Sequence, residues 1–308
     1  MSHRIKEHYM KSDIYTIYIT ESGNVNGIPV MCLHGGPGIP MGEKFRKVWD
    51  PKKFRVFTFH QRGCGKSEPR NCLKRNKTRD HFRDIEKIRK KFGIKKWIVE
   101  GGSWGATLAV LYAINYPKRV IHLIPFGISL MDGRWEESGR VMAPDVYYKL
   151  RGNTKNDKTM MDLYMKKLQG KDKLKWARKW NVEQKLFEIM SFRKMNGRKM
   201  LTNPEDEVTL ALYECYYYKN RAFMPKDYIL KNAHKLNKIP GHLVHGRFDI
   251  ICSPEGAYRL SQKWKKGKFI ITEMSGHSWG DPNSFKTMSK IAKECKKYYK
   301  KRKSYYEG

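Results

Sequence analysis

Ser103 stands in the pentapeptide Gly-Gly-Ser-Trp-Gly at positions 101–105. This G-x-S-x-G pattern is typical of a serine nucleophile on a sharp turn, because glycines leave room for the strained backbone that exposes the hydroxyl. An apolar run from Trp97 to Val99 precedes the pentapeptide, and a helical segment from Ala106 to Tyr116 follows it and ends at Pro117. Strand, turn and helix is the order that the motif needs, so Ser103 is the candidate nucleophile.

A serine nucleophile needs a general base and an acid that orients the base, and on such a scaffold they follow in the order Ser, Asp, His at the ends of later strands. Asp249 comes just after one predicted strand, and His277 lies in the loop after the next. These two residues are the predicted acid and base. Two alternatives stay open for Asp249: it could serve only as the N-cap of a helix near Ser253, or Asp281 could replace it as the acid. His277 could also be an ordinary loop histidine.

Two backbone N–H groups should stabilise the negative charge that develops on an attacked carbonyl oxygen. Trp104, the residue after the nucleophile, supplies one of them. The sequence His-Gly-Gly-Pro-Gly at positions 34–38 follows an early apolar run, and Gly36 is the predicted second donor. The alternative is that these glycines form only a turn.

The segment Gln-Arg-Gly-Cys-Gly-Lys-Ser at positions 61–67 ends like a phosphate-binding loop. Such a loop requires a glycine five residues before Gly65, and that position holds His60. Phosphate binding is therefore not expected. Cys64 has no assigned base, so it is interpreted as a structural cysteine and not as a nucleophile.

The elements that must position these residues alternate between strands and helices, which predicts an α/β fold with a mostly parallel central sheet flanked by helices. The predicted strands span 14–19, 29–33, 54–59, 96–100, 239–245 and 268–273, and the helices outside the middle of the chain span 80–92, 106–116 and 284–299. The segment 132–230 is helical in pattern throughout. We therefore expect a core formed by 1–131 and 231–308, interrupted by an all-helical cap at 132–230, where insertions over the strand ends often carry function.

The composition is that of a folded protein with an unusual charge. Of 308 residues, 40% are hydrophobic, which excludes wholesale disorder, while 64 Lys and Arg against 30 Asp and Glu give a net charge of +34. We expect a solvated basic surface and no specific nucleic-acid partner, because no nucleic-acid-binding motif accompanies the lysines. No run reaches the roughly 18 apolar residues of a membrane span, and no signal segment opens the chain. A cytoplasmic protein with six reduced cysteines and no metal site is expected.

These motifs together resemble those of the prolyl aminopeptidases, or proline iminopeptidases, which have the α/β-hydrolase fold. The similarity runs through about residues 12–295. The segments that carry it are His-Gly-Gly-Pro-Gly at 34–38, Gln-Arg-Gly-Cys-Gly-Lys-Ser at 61–67, Gly-Gly-Ser-Trp-Gly-Ala-Thr-Leu-Ala at 101–109, His-Gly-Arg-Phe-Asp at 245–249 and Gly-His-Ser at 276–278.

The resemblance implies a serine exopeptidase that removes N-terminal proline from peptides through an acyl-enzyme intermediate, with no cofactor and no metal. It also implies that glutamates from the helical cap hold the free amino group of the substrate. Glu214 matches one of these glutamates, and Glu183 is the candidate for the second, in a segment one residue shorter than usual. The alternative for each glutamate is a solvated position on a helix.

Two departures from the family's pattern bear on function. His60 stands where the family usually has aspartate, and the cap is far more basic than usual. Two other functions therefore stay open beside the aminopeptidase. One is an esterase or amidase of other specificity that uses the same triad, and the other is a catalytically idle polyanion-binding protein on a hydrolase scaffold.

Overall fold

The computed structural model describes residues 4–40, 43–132, 140–141, 143–187, 203–299 and 305–306. Its centre is an eight-stranded sheet with the strand order β1-β2-β4-β3-β5-β6-β7-β8. The strands are β1 (Lys6–Ser12), β2 (Tyr15–Gly23), β3 (Ile28–Leu33), β4 (Phe54–Phe59), β5 (Trp97–Gly102), β6 (Val120–Phe126), β7 (Gly241–Gly246) and β8 (Gly267–Thr272). The first two strands pair antiparallel, β2 also pairs antiparallel with β4, and every other pairing is parallel.

The central strands are buried on both faces, which is why their sequences read as apolar runs and not as alternating patterns. All residues of β3, β5, β6 and β7 are buried. Their carboxyl ends meet along one edge of the sheet, where α/β proteins place their functional loops. The outermost strand, β1, is largely exposed and polar, as suits an edge that must not pair with another chain.

Helices cover both faces of the sheet and form a separate group between β6 and β7. They are α1 (Thr78–Lys91), α2 (Trp104–Asn115), α3 (Pro144–Arg151), α4 (Asp157–Lys167), α5 (Lys173–Phe187), α6 (Pro204–Lys219), α7 (Tyr228–Asn232), α8 (Pro254–Ser261) and α9 (Pro282–Tyr299). Short 3-10 helices span Glu43–Val48, Pro117–Arg119, Arg221–Phe223 and Ala233–Leu236. One large apolar cluster joins α1, α2, α8 and the inserted helices, and a second lies beneath α9.

The helix α6 of the inserted segment rests directly on two loops of the core. A Cβ atom at Gly38 would lie 3.0 Å from the backbone oxygen of Thr209, and one at Gly63 would collide with the hydroxyl of Tyr213. Both glycines have positive φ, +105° and +70°, so a side chain there would also be strained. The helix therefore packs against bare backbone at both loops.

The predicted α/β class with a mostly parallel sheet is confirmed. Each predicted strand corresponds to an observed one, with the ends of 54–59 unchanged and at least one end of each of the others shifted. Two strands were not predicted. In β6, His122 and Pro125 interrupt the apolar run, and β1 is too polar to be distinguished from a loop by hydropathy. Between 132 and 230 the described elements are all helical. The boundaries at 131 and 230 stay a prediction.

Candidate active site

Ser103 occupies a strained turn between β5 and α2. Its φ and ψ are +56° and −125°, a conformation that residues with a side chain rarely adopt. The turn is possible because its neighbours lack side chains: a Cβ atom at Gly105 would collide with the carbonyl oxygen of Leu33, on the adjacent strand. Close packing of α2 against the sheet thus lifts Ser103 to the carboxyl edge, where its side chain is partly exposed.

His277 and Asp249 form a buried hydrogen-bonded pair. The Nδ1 atom of His277 lies 2.8 Å from Oδ2 of Asp249, and the two residues are 8% and 3% exposed. Because the carboxylate can only accept, Nδ1 of His277 carries the proton, and Nε2 keeps a lone pair. The other carboxylate oxygen accepts the backbone N–H groups of Ile251 and Cys252. These bonds fix the carboxylate in the plane that the imidazole needs.

The N-cap role near Ser253 and the alternative acid Asp281 are both accounted for by other hydrogen bonds in the structure. Ser253 is the N-cap of α8, since its hydroxyl accepts the N–H of Glu255. Asp281 accepts the backbone N–H of Gly276 at 2.8 Å and so braces the loop that carries His277. Asp249 is thus the carboxylate at Nδ1 of His277.

The pKa of Asp249 reflects two opposing influences. Burial acts to raise it, but the neighbouring His277 and His245 side chains outweigh burial and hold it well below its ordinary value. Asp249 is therefore a stable anion.

Ser103 and the His277–Asp249 pair lie on two sides of the end of β6. The backbone N–H of Ser103 donates to the carbonyl of Phe126 at 2.9 Å. In the next residue, Gly127, an added Cβ atom would lie 3.4 Å from both Cε1 of His277 and Oδ2 of Asp249. The structure thus brings the three predicted residues to one place at the carboxyl edge of the sheet.

The glycine-rich loop after β3 lies against the nucleophile. A Cβ atom at Gly35 would be 3.2 Å from Cβ of Ser103. The next residue, Gly36, has φ of +102°, which a residue with a side chain would adopt only under strain. Within the described part of the chain, no hydrogen bond uses the backbone N–H of Gly36 or Trp104. Both groups remain available to a ligand beside Ser103.

Gln61 holds this loop and the turn together, a role that the sequence did not assign to it. Its backbone N–H donates to Nε2 of His34, and its side-chain amide donates to the backbone oxygen of His34, both at 2.9 Å. Its amide oxygen accepts the indole N–H of Trp104 at 2.8 Å. The sequence did contain a signal for Gln61, because the 61–67 segment is one of the motifs that resemble the family. The contacts of Gln61 themselves depend on the tertiary fold.

Comparison with known proteins gives matches over most of this chain. The sequence model of the alpha/beta hydrolase fold family matches residues 28–279. A proline iminopeptidase of Arabidopsis thaliana is 34% identical over 286 residues, which cover 88% of this chain and 74% of that protein. One from Xylella fastidiosa is 33% identical over 88% of this chain and 90% of that protein.

The chain belongs to the proline iminopeptidase family of α/β hydrolases.

Solved structures show the same fold at low sequence identity. The crystal structure of a Mycobacterium smegmatis proline iminopeptidase superposes with a TM-score of 0.64 and 14% identity, over 95% of this chain and 99% of that one. An esterase from Exiguobacterium antarcticum gives 0.67 and 18%, over 92% and 96%. The family resemblance read from the motifs is confirmed by the relatives.

His60, which stands where the family usually has aspartate, is neutral and accepts a hydrogen bond from a neighbouring loop residue. Burial lowers its pKa to about 3, with further contributions from His34 and Lys66. Its Nδ1 atom therefore accepts the backbone N–H of Lys66 at 2.8 Å. The imidazole thus provides a hydrogen-bond acceptor at the base of the 61–67 loop, as a carboxylate at this position could.

The two cap glutamates expected from the proline iminopeptidase family differ in what the structure describes. Glu214 is buried on α6, 1% exposed, and its Oε2 accepts the indole N–H of Trp180 at 2.6 Å. Burial raises the pKa of the Cys252 thiol well above its ordinary value, and the charges of Asp249 and Glu214 raise it further. Glu183 is on α5, but its side chain lies outside the described residues.

Cys64 is fully buried beside His34, with Sγ 3.5 Å from Nε2. Burial raises the pKa of its thiol, which favours the unreactive thiol over the thiolate. In the described ranges, no group of three or more His, Cys, Asp or Glu side chains is arranged to hold a metal ion. None of the described helices is long and apolar enough to cross a membrane.

Proposed function

We propose that this protein is a serine aminopeptidase that releases N-terminal proline from peptides through an acyl-enzyme intermediate. Membership of the proline iminopeptidase family supports the reaction. The observation that carries the proposal is the arrangement of a strained Ser103 beside the His277–Asp249 pair and the glycine loop.

The first half of the reaction forms an ester with the enzyme. Ser103 Oγ attacks the carbonyl carbon of the substrate's first residue while Nε2 of His277 takes the hydroxyl proton. Asp249 keeps the imidazole in the required tautomer and stabilises its cation. The N–H groups of Gly36 and Trp104 stabilise the oxyanion. The peptide C–N bond then breaks, and His277 transfers its proton to the leaving amine.

The second half regenerates the enzyme. Water attacks the ester carbonyl and gives a proton to His277, and the bond between the acyl carbon and Ser103 Oγ breaks as the proton returns to Ser103. Proline leaves with a new carboxylate. The same two N–H donors serve both tetrahedral intermediates.

Selection of an amino terminus rests in this proposal on Glu214. A buried carboxylate is costly unless a cation or hydrogen-bond donors compensate it, and the ammonium group of N-terminal proline supplies both a charge and two N–H donors. Trp180 already donates to one oxygen of Glu214, which orients the carboxylate. Glu183 is proposed as the second carboxylate.

We propose a cytoplasmic location and no specific nucleic-acid partner. All six cysteines are free thiols, and five of them are buried, which is usual in a reducing compartment. Proline peptides are the proposed substrates.

The test is hydrolysis of chromogenic amides of proline, alanine and leucine, each with a free and with an acetylated amino group. The free proline amide should be the preferred substrate, and Ser103→Ala should lower kcat by about 10⁴-fold or more without unfolding the protein. Equal turnover of free and acetylated amides would indicate an esterase or amidase instead. Absence of turnover together with salt-dependent nucleic-acid binding would favour the polyanion-binding alternative.

Glu214→Gln tests the amine site, and Glu207→Gln is its matched control. Both glutamates are buried on α6, but Glu207 pairs with Arg178 at 3.4 Å. Glu214→Gln should raise KM for free-amine substrates by roughly 10-fold or more and leave hydrolysis of an acetylated ester nearly unchanged. Glu207→Gln should affect both substrates alike. Equal losses on both substrates in Glu214→Gln would remove its assigned role.

A further inference from the structure

A second histidine contacts the same carboxylate oxygen of Asp249 as His277 does. His245, near the end of β7, is fully buried. Its Nε2 atom lies 2.7 Å from the backbone oxygen of Cys252 and 3.2 Å from Oδ2 of Asp249. The imidazole thus bridges the strand, the carboxylate and the loop that leads to α8.

The contacts of His245 show which ring nitrogen carries the hydrogen. A backbone oxygen can only accept a hydrogen bond, so Nε2 carries the hydrogen and donates it to Cys252, with Oδ2 of Asp249 close to the same nitrogen. The Nδ1 atom is buried without a hydrogen-bond partner among the described residues. Since a buried polar atom without a partner is costly, the Nε2 contacts must provide a compensating benefit.

We infer that His245 is a positioning residue that holds Asp249 in register with His277. This inference rests on the proposed triad. It assigns His245 no contact with substrate, and its action on the reaction passes through the carboxylate.

The physical argument concerns the contacts around one carboxylate. Oδ1 accepts two backbone N–H groups, Oδ2 is hydrogen-bonded to His277, and Nε2 of His245 lies 3.2 Å from the same Oδ2. The hydrogen bond of His245 to Cys252 anchors the loop whose own N–H holds Oδ1. His245 thus restricts the movement of the carboxylate away from His277.

His245 also affects how strongly Asp249 stabilises the cation of His277. Without His245 the carboxylate can move away from His277, so the cation becomes less stable and the acid limb of the activity profile moves to lower pH. The other titratable groups acting here are Cys252, Asp281 and, from α6, Glu214. None of them changes in the variants below, so they do not affect the comparison.

Three substitutions separate the N–H contact from simple packing. His245→Leu keeps the bulk and removes the donor. His245→Gln can place an amide N–H near the position of Nε2, whereas the shorter side chain of His245→Asn cannot reach Asp249. The Gln and Asn variants bury similar polar groups, so their comparison stands even where the Leu variant fails to fold.

The measurement is the pH dependence of the rate at which a fluorophosphonate probe labels the full-length protein. Labelling needs only an activated Ser103 and not the correct peptide substrate. His245→Leu and His245→Asn should label about 10- to 100-fold more slowly, with the acid limb moved down by about half a pH unit. His245→Gln should recover most of the rate and the position of the acid limb.

The matched control is His122→Leu. His122 is a buried histidine near the start of β6, hydrogen-bonded to His242 and Tyr299. The His122→Leu variant should have a lower melting temperature than wild type, with the acid limb of its pH profile unmoved. Failure of the wild-type protein to label, or labelling of Ser103→Ala, would refute the triad itself. With the triad intact, wild-type behaviour of His245→Leu, or equal losses in the Gln and Asn variants at an unmoved acid limb, would overturn the positioning role.

Discussion

Glu100 offers a test of how the core beneath Ser103 responds to pH. It lies on β5 and is fully buried. One carboxylate oxygen accepts the indole N–H of Trp49 at 2.8 Å and the thiol of Cys32 at 3.4 Å. The other has no hydrogen-bond partner among the described residues. Burial therefore prevails over these two bonds and raises the pKa of Glu100 to about 7.

The size of the effect follows from linkage between protonation and folding. In the unfolded chain the Glu100 carboxyl has its ordinary pKa of 4.5, so between pH 4.5 and 7 the folded state binds a proton that the unfolded state has lost. The free energy of unfolding therefore falls as pH rises, by 1.36 kcal/mol per pH unit and by about 3 kcal/mol over the interval. This contribution is fully present below pH 4.5 and is lost as pH rises through 7.

The perturbation is Glu100→Gln, which retains an acceptor for Trp49 and cannot ionise. Urea denaturation at several pH values from 5 to 8 should show the variant less stable than wild type at pH 5, because a buried amide has an unpaired donor. The variant should gain about 2.5 kcal/mol relative to wild type between pH 5 and pH 8.

Glu68→Gln, at an exposed carboxyl, controls for the change in net charge and should follow the wild-type curve. A Glu100→Gln curve parallel to wild type across this range would show that Glu100 ionises normally in the folded state. The reasoning from burial would then be refuted.

Three further outcomes are expected. Trp180→Phe should raise KM for free-amine substrates several-fold without changing hydrolysis of acetylated esters, because Glu214 loses its orienting donor; equal changes on both would contradict this. His60→Ala should cost about 0.5–1.5 kcal/mol of unfolding free energy by removing the acceptor of the Lys66 N–H, and His60→Asp should recover part of it, as measured by urea denaturation. Leu108→Ala, at a fully buried position of α2, should cost about 2–5 kcal/mol of unfolding free energy, and an unchanged melting temperature would show that this core tolerates a cavity.

The sequence predicts well what depends on local pattern and chain order. Strand, turn and helix around Ser103, and the Ser, Asp, His order, could be read directly because the turn chemistry is local. The strand β6 could not, since His122 and Pro125 break its apolar pattern and only pairing with β5 and β7 makes it a strand.

Contacts between distant segments could not be predicted from the sequence for the same reason. Nothing local in the sequence indicates that Gln61 bridges His34 and Trp104. The second contact of Asp249 is different, because His245 is only four residues away. It was missed because a strand end must bend back before the two side chains can meet.

The seating of α6 on the bare backbone of Gly38 and Gly63 has a consequence for how specificity can diverge. If the cap is exchanged between relatives, α6 and both glycine loops must be exchanged together, because a side chain on either loop would displace the helix. The helices α3 and α4 make no such demand on those two loops. Substitutions in α3 and α4 can therefore change the substrate range without disturbing these two loops. Changes in α6, which carries Glu214, are restricted by its contacts with the core.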